Sequence, residues 1–335
     1  MGQHSRLRSW WQDNPANPDH PTLNNPDVKR LLMSRYPTSS AIDLGGTMSL
    51  NIHVVPENIV LRVHQPFVSR ERLLAIQRVR QALTAQGLQV PLPEPNATVL
   101  RCGKRWAEIE VYRPHQRLPH TFEAYCWLFQ ALGRLHHALS TCDNTVPRPL
   151  VATYAPPSSL RRWLTVTQQA LHDHPQAFEI AHYLGKLVRE LRRQWHPASH
   201  LPQQLIHGDI HLSNVCQTPD KQTIYLDFGF LAYRPRIHDL TYALAFMLLA
   251  LNGPQKPQDF AWHRIALLLN AYETTAHTRL SEQERKALTP YTAAIPLYAA
   301  ALDGFSYNPA RQLQGRLPFL HLSEWLLTCP QLLQQ

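Results

Sequence analysis

Two short segments carry the residues that decide the fold: LIHGDIHLSNV at residues 205–215 and IYLDFG at residues 224–229. Each begins with apolar residues typical of a buried strand. Each then presents a carboxylate, Asp209 in the first segment and Asp227 in the second. An amide side chain, Asn214, stands five residues after Asp209. The pattern predicts two strand ends that bring two carboxylates and one amide together.

These three side chains suit phosphoryl transfer. A carboxylate near an attacking hydroxyl group can orient it and accept its proton, while a second carboxylate and an amide oxygen hold Mg²⁺ on nucleotide phosphates. The Asp-x4-Asn spacing and the downstream Asp-Phe-Gly are the arrangement described for protein kinases. Because His-Gly-Asp or Asp-Phe-Gly alone is usually only a turn, the prediction depends on both motifs occurring in this order.

His-Gly-Asp-x-His-x-x-Asn at 207–214, followed by Asp-Phe-Gly at 227–229, resembles the aminoglycoside phosphotransferase and choline kinase family, relatives of protein kinases. The resemblance covers residues 27–330. It implies an α+β, protein-kinase-like fold with a small N-terminal antiparallel β-sheet lobe, one main helix in that lobe, and a larger, mostly helical C-terminal lobe. It also implies ATP or GTP and Mg²⁺ as cofactors.

Apolar periodicity along the chain agrees with two lobes. We expect an extended lead-in at residues 1–26, a nucleotide-binding lobe at 27–113, and a catalytic and acceptor-binding lobe at 114–335. The first lobe should contain hairpins over 41–63, a helix over 69–86 and strands near 98–102 and 106–112. Helices in the second lobe are predicted at 121–140, 178–195, 239–251, 258–275, 281–288 and 290–302.

The resemblance implies roles for the motif residues. Asp209 is the expected catalytic base, and Asn214 and Asp227 are the expected Mg²⁺ ligands. Asp239 matches a family aspartate that braces the catalytic loop, although it also suits the N-cap of the following helix. The residues expected to shape or brace that loop are His207, His211 and Asp239.

Arg62 stands where the family strand supplies a cation to the nucleotide phosphates, and its planar fork suits phosphate oxygens. An exposed strand arginine is the structural alternative. The helix after it lacks a glutamate where kinases place the partner of this cation, and Gln77 stands near that position. Arg62 is therefore expected either to be held by Gln77 or to be unpaired toward phosphate.

Two backbone elements complete the expected nucleotide site. Gly45, Gly46 and Thr47 match the loop that covers the phosphates, although a plain hairpin turn fits equally well. Glu110 and Tyr112 lie at the end of the last strand before the helical lobe. In the family this hinge presents backbone groups to a purine.

Composition limits the partners. The net charge of +9 comes from 33 basic and 24 acidic residues without a basic tail, so nucleic-acid binding is not expected. The chain has no apolar run of about 18 residues, so we expect no membrane span. Five cysteines without a Cys-x-x-Cys pair suit a reducing, cytoplasmic location. The paired histidines His136-His137 and the triplet His172-Asp173-His174 are interpreted as surface residues.

The expected acceptor is a hydroxyl group of a small molecule. Residues 257–335 contain six acidic and six basic side chains, a balance that disfavours polycationic aminoglycosides. A neutral or zwitterionic metabolite, an antibiotic-like hydroxyl group and a peptide Ser/Thr hydroxyl group remain open. A nucleotide-binding pseudokinase that serves as a regulatory subunit is the alternative from another class. The absent helix glutamate favours it, and the intact Asp209, Asn214 and Asp227 oppose it.

Overall fold

The structure is a computed structural model that describes residues 21–46, 48–94, 99–143, 145–252, 257–306 and 308–333. Of the predicted lead-in over residues 1–26, only the last six residues are therefore described. They run into the first helix, α1 (Pro26–Arg35), whose N-cap is Asn25. The Asn25 side chain accepts hydrogen bonds from the N–H groups of Asp27 and Val28.

The N-terminal lobe is built on five antiparallel strands: β1 (Ser40–Asp43), β2 (Leu50–Val55), β3 (Ile59–Val63), β4 (Leu100–Cys102) and β5 (Arg105–Val111). Their order across the sheet is β1-β2-β3-β5-β4. Buried and half-buried residues alternate along β2 and β3, so one face of the sheet packs on a core. The predicted hairpins over 41–63 are confirmed.

The main helix of this lobe, α2 (Arg70–Ala85), begins after Ser69, whose hydroxyl oxygen accepts a hydrogen bond from the N–H of Arg72. Its apolar face does not belong to the core of the sheet. Ile76, Val79 and Leu83 pack instead with the large core of the helical lobe. The sheet has a separate core that it shares with α1. The helix is thus fixed to the C-terminal lobe by apolar packing.

The C-terminal lobe consists mainly of helices: α3 (Phe122–Leu139), α4 (Pro157–Ala170), α5 (Pro175–Gln194), α6 (Ile237–Asn252), α7 (Ile265–Ala276), α8 (Glu282–Leu302), α9 (Pro309–Gln314) and α10 (Leu317–Thr328). The helices predicted at 281–288 and 290–302 are one helix, α8, which contains Pro290 and Pro296. A capping box between Ser281 and Glu284 starts it, and extensive burial supports it across both prolines. Helices α4, α9 and α10 were not predicted.

Two small antiparallel strand pairs position the motif segments. β6 (Gln203–Ile206) pairs with β9 (Ala232–Pro235), and β7 (Val215–Gln217) pairs with β8 (Thr223–Tyr225). The loop at 207–214 connects β6 to β7, and the segment at 226–231 connects β8 to β9. Because each strand pair contributes one end to each connection, the two connections lie side by side. The strands predicted before Asp209 and before Asp227 are confirmed as β6 and β8.

Two expectations from composition can be compared with the fold. None of the helices in the described parts of the chain is long and apolar enough to cross a membrane. All five cysteines carry free thiols, and two of them, Cys102 and Cys216, are buried.

Candidate active site

The 207–214 loop is held by the carboxylate of Asp239, in the first turn of α6. Its Oδ2 accepts a hydrogen bond from the N–H of His207 and its Oδ1 accepts one from the N–H of Gly208, both at 2.8 Å. Gly208 has φ +83°, and a Cβ there would lie 2.6 Å from the carbonyl oxygen of Phe230. Asp239 therefore contacts the loop from within α6, and the alternative N-cap position is wrong.

His136 supports Asp239 from the opposite side. Its Nε2 lies 3.1 Å from Oδ2 of Asp239, and its Nδ1 lies 2.9 Å from the hydroxyl oxygen of Tyr272 on α7. Because a carboxylate only accepts, the Nε2–H of His136 donates to Asp239, and the Tyr272 hydroxyl group is the partner of Nδ1. Burial opposes the charge on Asp239, but the His136 hydrogen bond and neighbouring histidines outweigh it and lower the pKa of the carboxyl group.

The expectation of a surface histidine is wrong for His136, which is only 2% exposed. The residue lies four positions after Leu132 and seven after Phe129, which places all three on the buried face of α3. That spacing could have identified it. His137 is exposed, as are His172 and His174. Within the described residues no group of three or more histidine, cysteine, aspartate or glutamate side chains could hold a metal ion.

The two histidines of the motif make contacts mainly around the loop. The His207 ring lies between two strand ends: Nε2 is 2.8 Å from the carbonyl oxygen of Leu226, and Nδ1 accepts from the N–H of Asp209 at 3.3 Å. The His211 Nδ1 accepts from the N–H of Ser213 at 3.1 Å. Both rings therefore contribute to the shape of the loop.

Asp209 projects from this loop with donors on both carboxylate oxygens. The Tyr242 hydroxyl group donates to Oδ1 at 2.7 Å, and Nδ2 of Asn214 donates to Oδ2 at 2.9 Å. Nδ2 of Asn214 also donates to the carbonyl oxygen of Asp209. Because the NH₂ group of Asn214 is directed at Asp209, its amide oxygen is left for another partner. Nothing in the motif pointed to Tyr242.

Asp227 adopts a left-handed conformation, with φ 56° and ψ 67°. Its Oδ1 accepts from the N–H of Gly229 at 3.3 Å and from Nη1 of Arg62 at 2.9 Å. Burial opposes its charge, but Arg62, His207 and the Gly229 hydrogen bond outweigh that effect and lower the pKa of the carboxyl group. The structure thus brings the cation of β3 directly onto the second carboxylate of the motif.

Both alternatives for Arg62 are wrong, because Nε2 of Gln77 donates to Glu108 at 3.0 Å and Arg62 is paired with Asp227. Besides Asp227, the acids near Arg62 come from β5. Glu108 is the cross-strand partner of Arg62 in the sheet register, and Oε2 of Glu110 lies 4.0 Å from Nε of Arg62. Burial opposes the charge of Arg62, but these carboxylates raise the pKa of its guanidinium above the usual value.

Helix α2 contributes a cation to the same acids. Arg80 donates from Nη2 to Glu108 at 2.7 Å and from Nη1 to Glu110, and its side chain is 4% exposed. His64 lies 3.0 Å from the other oxygen of Glu108. In protein kinases the helix supplies a glutamate to the strand cation, whereas here the helix supplies Arg80 and the acids come from β5. The Glu-x-Glu pattern at 108–110, on one face of a strand, was the available sequence signal.

Arg72, at the start of α2, joins that helix to the segment after Asp227. Its Nη2 donates to the carbonyl oxygens of Gly229 and Leu231, each at 2.8 Å. Another of its nitrogens donates to the carbonyl oxygen of Pro147. Burial lowers the pKa of Arg72 to about 10, and no carboxylate contact of this side chain is seen among the described residues.

The predicted phosphate-covering loop connects β1 to β2. Gly45 and Gly46 have φ +80° and +134°, values that an L-residue rarely adopts. The carboxylate of Asp43 accepts from the N–H of Gly45, and Nδ2 of Asn51 donates to the carbonyl oxygen of Gly45. These contacts hold the backbone of Gly45 against residues of β1 and β2. Thr47 lies outside the described residues.

The predicted hinge has side chains that are engaged elsewhere. Glu110 is 2% exposed and paired with Arg80, and the Tyr112 ring stacks on His53 at 4.0 Å. The N–H of Tyr112 donates to the carbonyl oxygen of Asn58, and the N–H of Val111 donates to the carbonyl oxygen of Leu92. These two N–H groups are therefore not available to a purine.

A cavity of about 280 Å³ lies between the lobes on the Asp227 side. Arg62 and the start of α2 form one part of its wall, and residues 148–151 and 227–230 form another. Asp209 is not part of this wall. The cavity therefore adjoins the cation and the second carboxylate.

The family model APH, described as the phosphotransferase enzyme family, matches residues 43–276, which is more than half of the chain. The chain belongs to this family. The chain is therefore a phosphotransferase, as predicted, and the predicted kinase-like fold is confirmed. No curated protein sequence matches it significantly.

Solved structures of low sequence identity share the fold of this phosphotransferase. A microcompartment-associated aminopropanol kinase has a TM-score of 0.67 at 16% identity, covering 90% of this chain and 97% of that one. The amicoumacin kinase hAmiN, in complex with AMP-PNP, Ca²⁺ and Ami, has a TM-score of 0.60 at 15% identity, with 86% and 88% covered. The GDP complex of aminoglycoside 2'-phosphotransferase-IIIa has a TM-score of 0.58 at 16% identity, with 92% and 99% covered.

We predict that His136→Ala lowers the free energy of unfolding by about 1–3 kcal/mol, because a buried carboxylate loses a donor. Phosphoryl transfer should fall as well, since Asp239 orients the loop that carries Asp209. Urea unfolding and steady-state rates are the measurements. His137→Ala, on the exposed neighbour, is the matched control. Equal stability and equal rates in the two variants would contradict the role of His136.

Proposed function

We propose that this phosphotransferase moves the γ-phosphoryl group of ATP or GTP, with Mg²⁺, to a hydroxyl group of a small molecule that is not a polycation. The observation that carries the proposal is the placement of two hydrogen-bonded pairs, Arg62–Asp227 and Asn214–Asp209, on neighbouring segments. The backbone joins these segments, since the N–H of Leu226 donates to the carbonyl oxygen of Asn214 at 2.7 Å. A cation for phosphate, two oxygen donors for a metal and a carboxylate for the acceptor therefore stand on adjoining segments.

Asp209 is the proposed base. Its carboxylate is held on both oxygens, by Tyr242 and by Asn214, so it presents a fixed lone-pair direction to an acceptor. Its side chain is 15% exposed, which leaves it reachable from the cleft. Accepting the hydroxyl proton as the bond to phosphorus forms is the role that this geometry supports.

Asn214 and Asp227 are the proposed metal ligands, and the donor chemistry fits. Mg²⁺ prefers oxygen ligands and is commonly held by one or two protein side chains together with substrate phosphates. The NH₂ group of Asn214 donates to Asp209, which leaves the amide oxygen of Asn214 for the metal. Oδ1 of Asp227 is occupied by Arg62 and Gly229, so Oδ2 is the oxygen left for the metal. When bound, the metal would neutralise charge on the phosphates.

Arg62 is the proposed phosphate-binding residue. It contacts Asp227 through Nη1, and its buried Nε makes no hydrogen bond within the described residues. A guanidinium group offers five N–H donors, so phosphate oxygens can be bound by groups that Asp227 does not use. Arg80 donates to both Glu108 and Glu110, and the contact of Arg62 with Glu110 is longer, at 4.0 Å.

The acceptor side is aromatic. The rings of His211 and Phe246 stack at 5.3 Å, and Tyr242 lies 4.9 Å from Phe246. Tyr242 and Phe246 also pack with Ala245 and Ile295 in a small apolar cluster apart from the main core. An acceptor with an apolar or planar body fits such a surface.

Most carboxylates in residues 257–335 are already paired with other side chains, which disfavours a polycationic acceptor. Four of the six carboxylates form ion pairs with Arg or Lys, and a fifth, Glu324, accepts from Tyr183. The four pairs are Arg236–Glu284, Arg285–Glu273, Lys286–Glu282 and Arg316–Asp303. An aminoglycoside would need several free carboxylates to replace the hydration of its ammonium groups.

The test is a phosphorylation screen with mass readout, using Mg·ATP and Mg·GTP separately. The acceptor panel should contain uncharged alcohols, single-amine amino alcohols, a polycationic aminoglycoside and Ser/Thr peptides. We expect phosphorylated products from the first two groups. Preferred phosphorylation of the aminoglycoside or of peptides would overturn the proposed acceptor class. Nucleotide binding without any transfer would support the pseudokinase alternative.

Asp209→Asn should reduce transfer by about 10²–10⁴-fold, the typical contribution of a positioned general base. Nucleotide binding should remain within a few-fold, because Asp209 does not line the cavity beside Arg62. The measurements are steady-state transfer and nucleotide titration, with exposed Asp173→Asn as the control. Wild-type turnover in Asp209→Asn would refute the assignment of the base.

Asp227→Asn should remove the Mg²⁺-dependent part of nucleotide binding. Asparagine is chosen because it tolerates the left-handed conformation of residue 227 while removing the charge. Thermal stabilisation by ATP is measured with and without Mg²⁺, and exposed Asp220→Asn is the control. An unchanged Mg²⁺-dependent stabilisation in Asp227→Asn would exclude this residue as a metal ligand.

Arg62→Ala should weaken ATP binding or slow transfer by at least about tenfold, because charge-assisted bonds to phosphate are lost. Arg62→Lys should retain part of the activity, since lysine keeps the charge without the fork. Arg101→Ala, a surface arginine on β4, is the control. If Arg62→Ala matched this control in affinity and rate, the phosphate-binding cation would have to be another residue.

A further inference from the structure

Tyr242 lies on α6, three residues after Asp239, and is 6% exposed. Its hydroxyl group donates to Oδ1 of Asp209 at 2.7 Å. Burial and the charge of Asp209 raise the pKa of Tyr242 well above its usual value, so the phenol stays protonated. Tyr242 is therefore a permanent donor to the proposed base.

The second donor to Asp209 comes from a different element. Nδ2 of Asn214, in the 207–214 loop, contacts Oδ2 at 2.9 Å. With one donor on each oxygen, rotation of the carboxylate about its last side-chain bond breaks at least one hydrogen bond. Removing either donor should therefore release the orientation of the carboxylate.

The Tyr242 ring is itself fixed. It lies 4.9 Å from Phe246, 5.8 Å from His238 and 6.5 Å from His211, measured between ring centroids. Phe246 and His238 belong to α6, and His211 belongs to the loop. The donor oxygen is therefore held by packing as well as by its hydrogen bond.

Helix α6 therefore contacts both the backbone and a side chain of the loop. Asp239 binds the backbone N–H groups of His207 and Gly208, and Tyr242 binds the side chain of the next residue, Asp209. Both contacts come from the first two turns of α6. The backbone contact orients the loop, whereas only the Tyr242 contact acts on the carboxylate.

We propose that Tyr242 is a positioning residue that holds the Asp209 carboxylate in the orientation required to receive the acceptor proton. The inference rests on the proposed function. Precise orientation of a reacting group accounts for large rate factors, and a small misplacement is sufficient to lose them. Tyr242 acts through Asp209 and has no separate role in nucleotide binding.

The central test is a double-mutant cycle with Tyr242→Phe and Asp209→Asn. Tyr242→Phe removes one oxygen atom and should lower kcat about tenfold while the KM for nucleotide stays within about twofold. In the Asp209→Asn background the same change should cause no further loss. Tyr291→Phe is the matched control, since this buried hydroxyl group donates to the carbonyl oxygen of His196 away from the site.

Unchanged kcat in Tyr242→Phe, or an equal loss in both backgrounds, would overturn the inference. A crystal structure of Tyr242→Phe provides a second, activity-independent readout. We expect the Asp209 carboxylate to leave its single orientation, and retention of that orientation would also overturn the inference. If the wild-type protein phosphorylated no acceptor, the proposed function would fail, while this crystallographic comparison would still decide whether Tyr242 orients Asp209.

Discussion

The buried carboxylate of Asp239 is the contact on which the site depends. It accepts the N–H groups of His207 and Gly208, which have no strand partner at the point where β6 ends. A buried N–H group without an acceptor costs about 1–3 kcal/mol, so these two bonds make one loop conformation strongly preferred. Asp239 is itself maintained by His136 and Tyr272. Three helices, α3, α6 and α7, therefore meet at the back of a single loop.

The sequence predicted the features that are local. The alternation in β2 and β3, the helix α2 and the strand–loop form of both motif segments all follow from residues close together in the chain. Asp209 and Asn214 are five residues apart, and their contact within one loop could be anticipated from the family motif. The predicted fold class was confirmed because it rested on these local patterns in the right order.

The features that the sequence did not reveal depend on pairs distant in the chain. Arg62 and Asp227 are 165 residues apart, and their ion pair exists only because the lobes meet. Gln77 stands near the position of the kinase glutamate, so the sequence suggested either Gln77 or no partner for Arg62. The acids come instead from β5, which lies beside β3 in the sheet but more than 40 residues away in the sequence. The burial of His136 becomes predictable only when this residue is grouped with Leu132 and Phe129, one and two turns before it, rather than with its neighbour His137.

The ion pairs of Arg80 on α2 with Glu108 and Glu110 on β5 determine what a displacement of that helix would do to the site. In protein kinases, the helix supplies a glutamate, and its departure leaves the strand cation without an acid. Here the acids, Glu108 and Glu110, are on β5, and Arg80 on the helix forms an ion pair with each of them. Withdrawal of α2 would free Glu108 and Glu110 to capture Arg62, which lies beside them. Helix displacement would then inactivate the enzyme because the two glutamates would bind Arg62, the proposed phosphate-binding residue. In protein kinases the corresponding displacement leaves the strand cation without its acid. The apolar contacts of α2 with the helical core oppose that displacement.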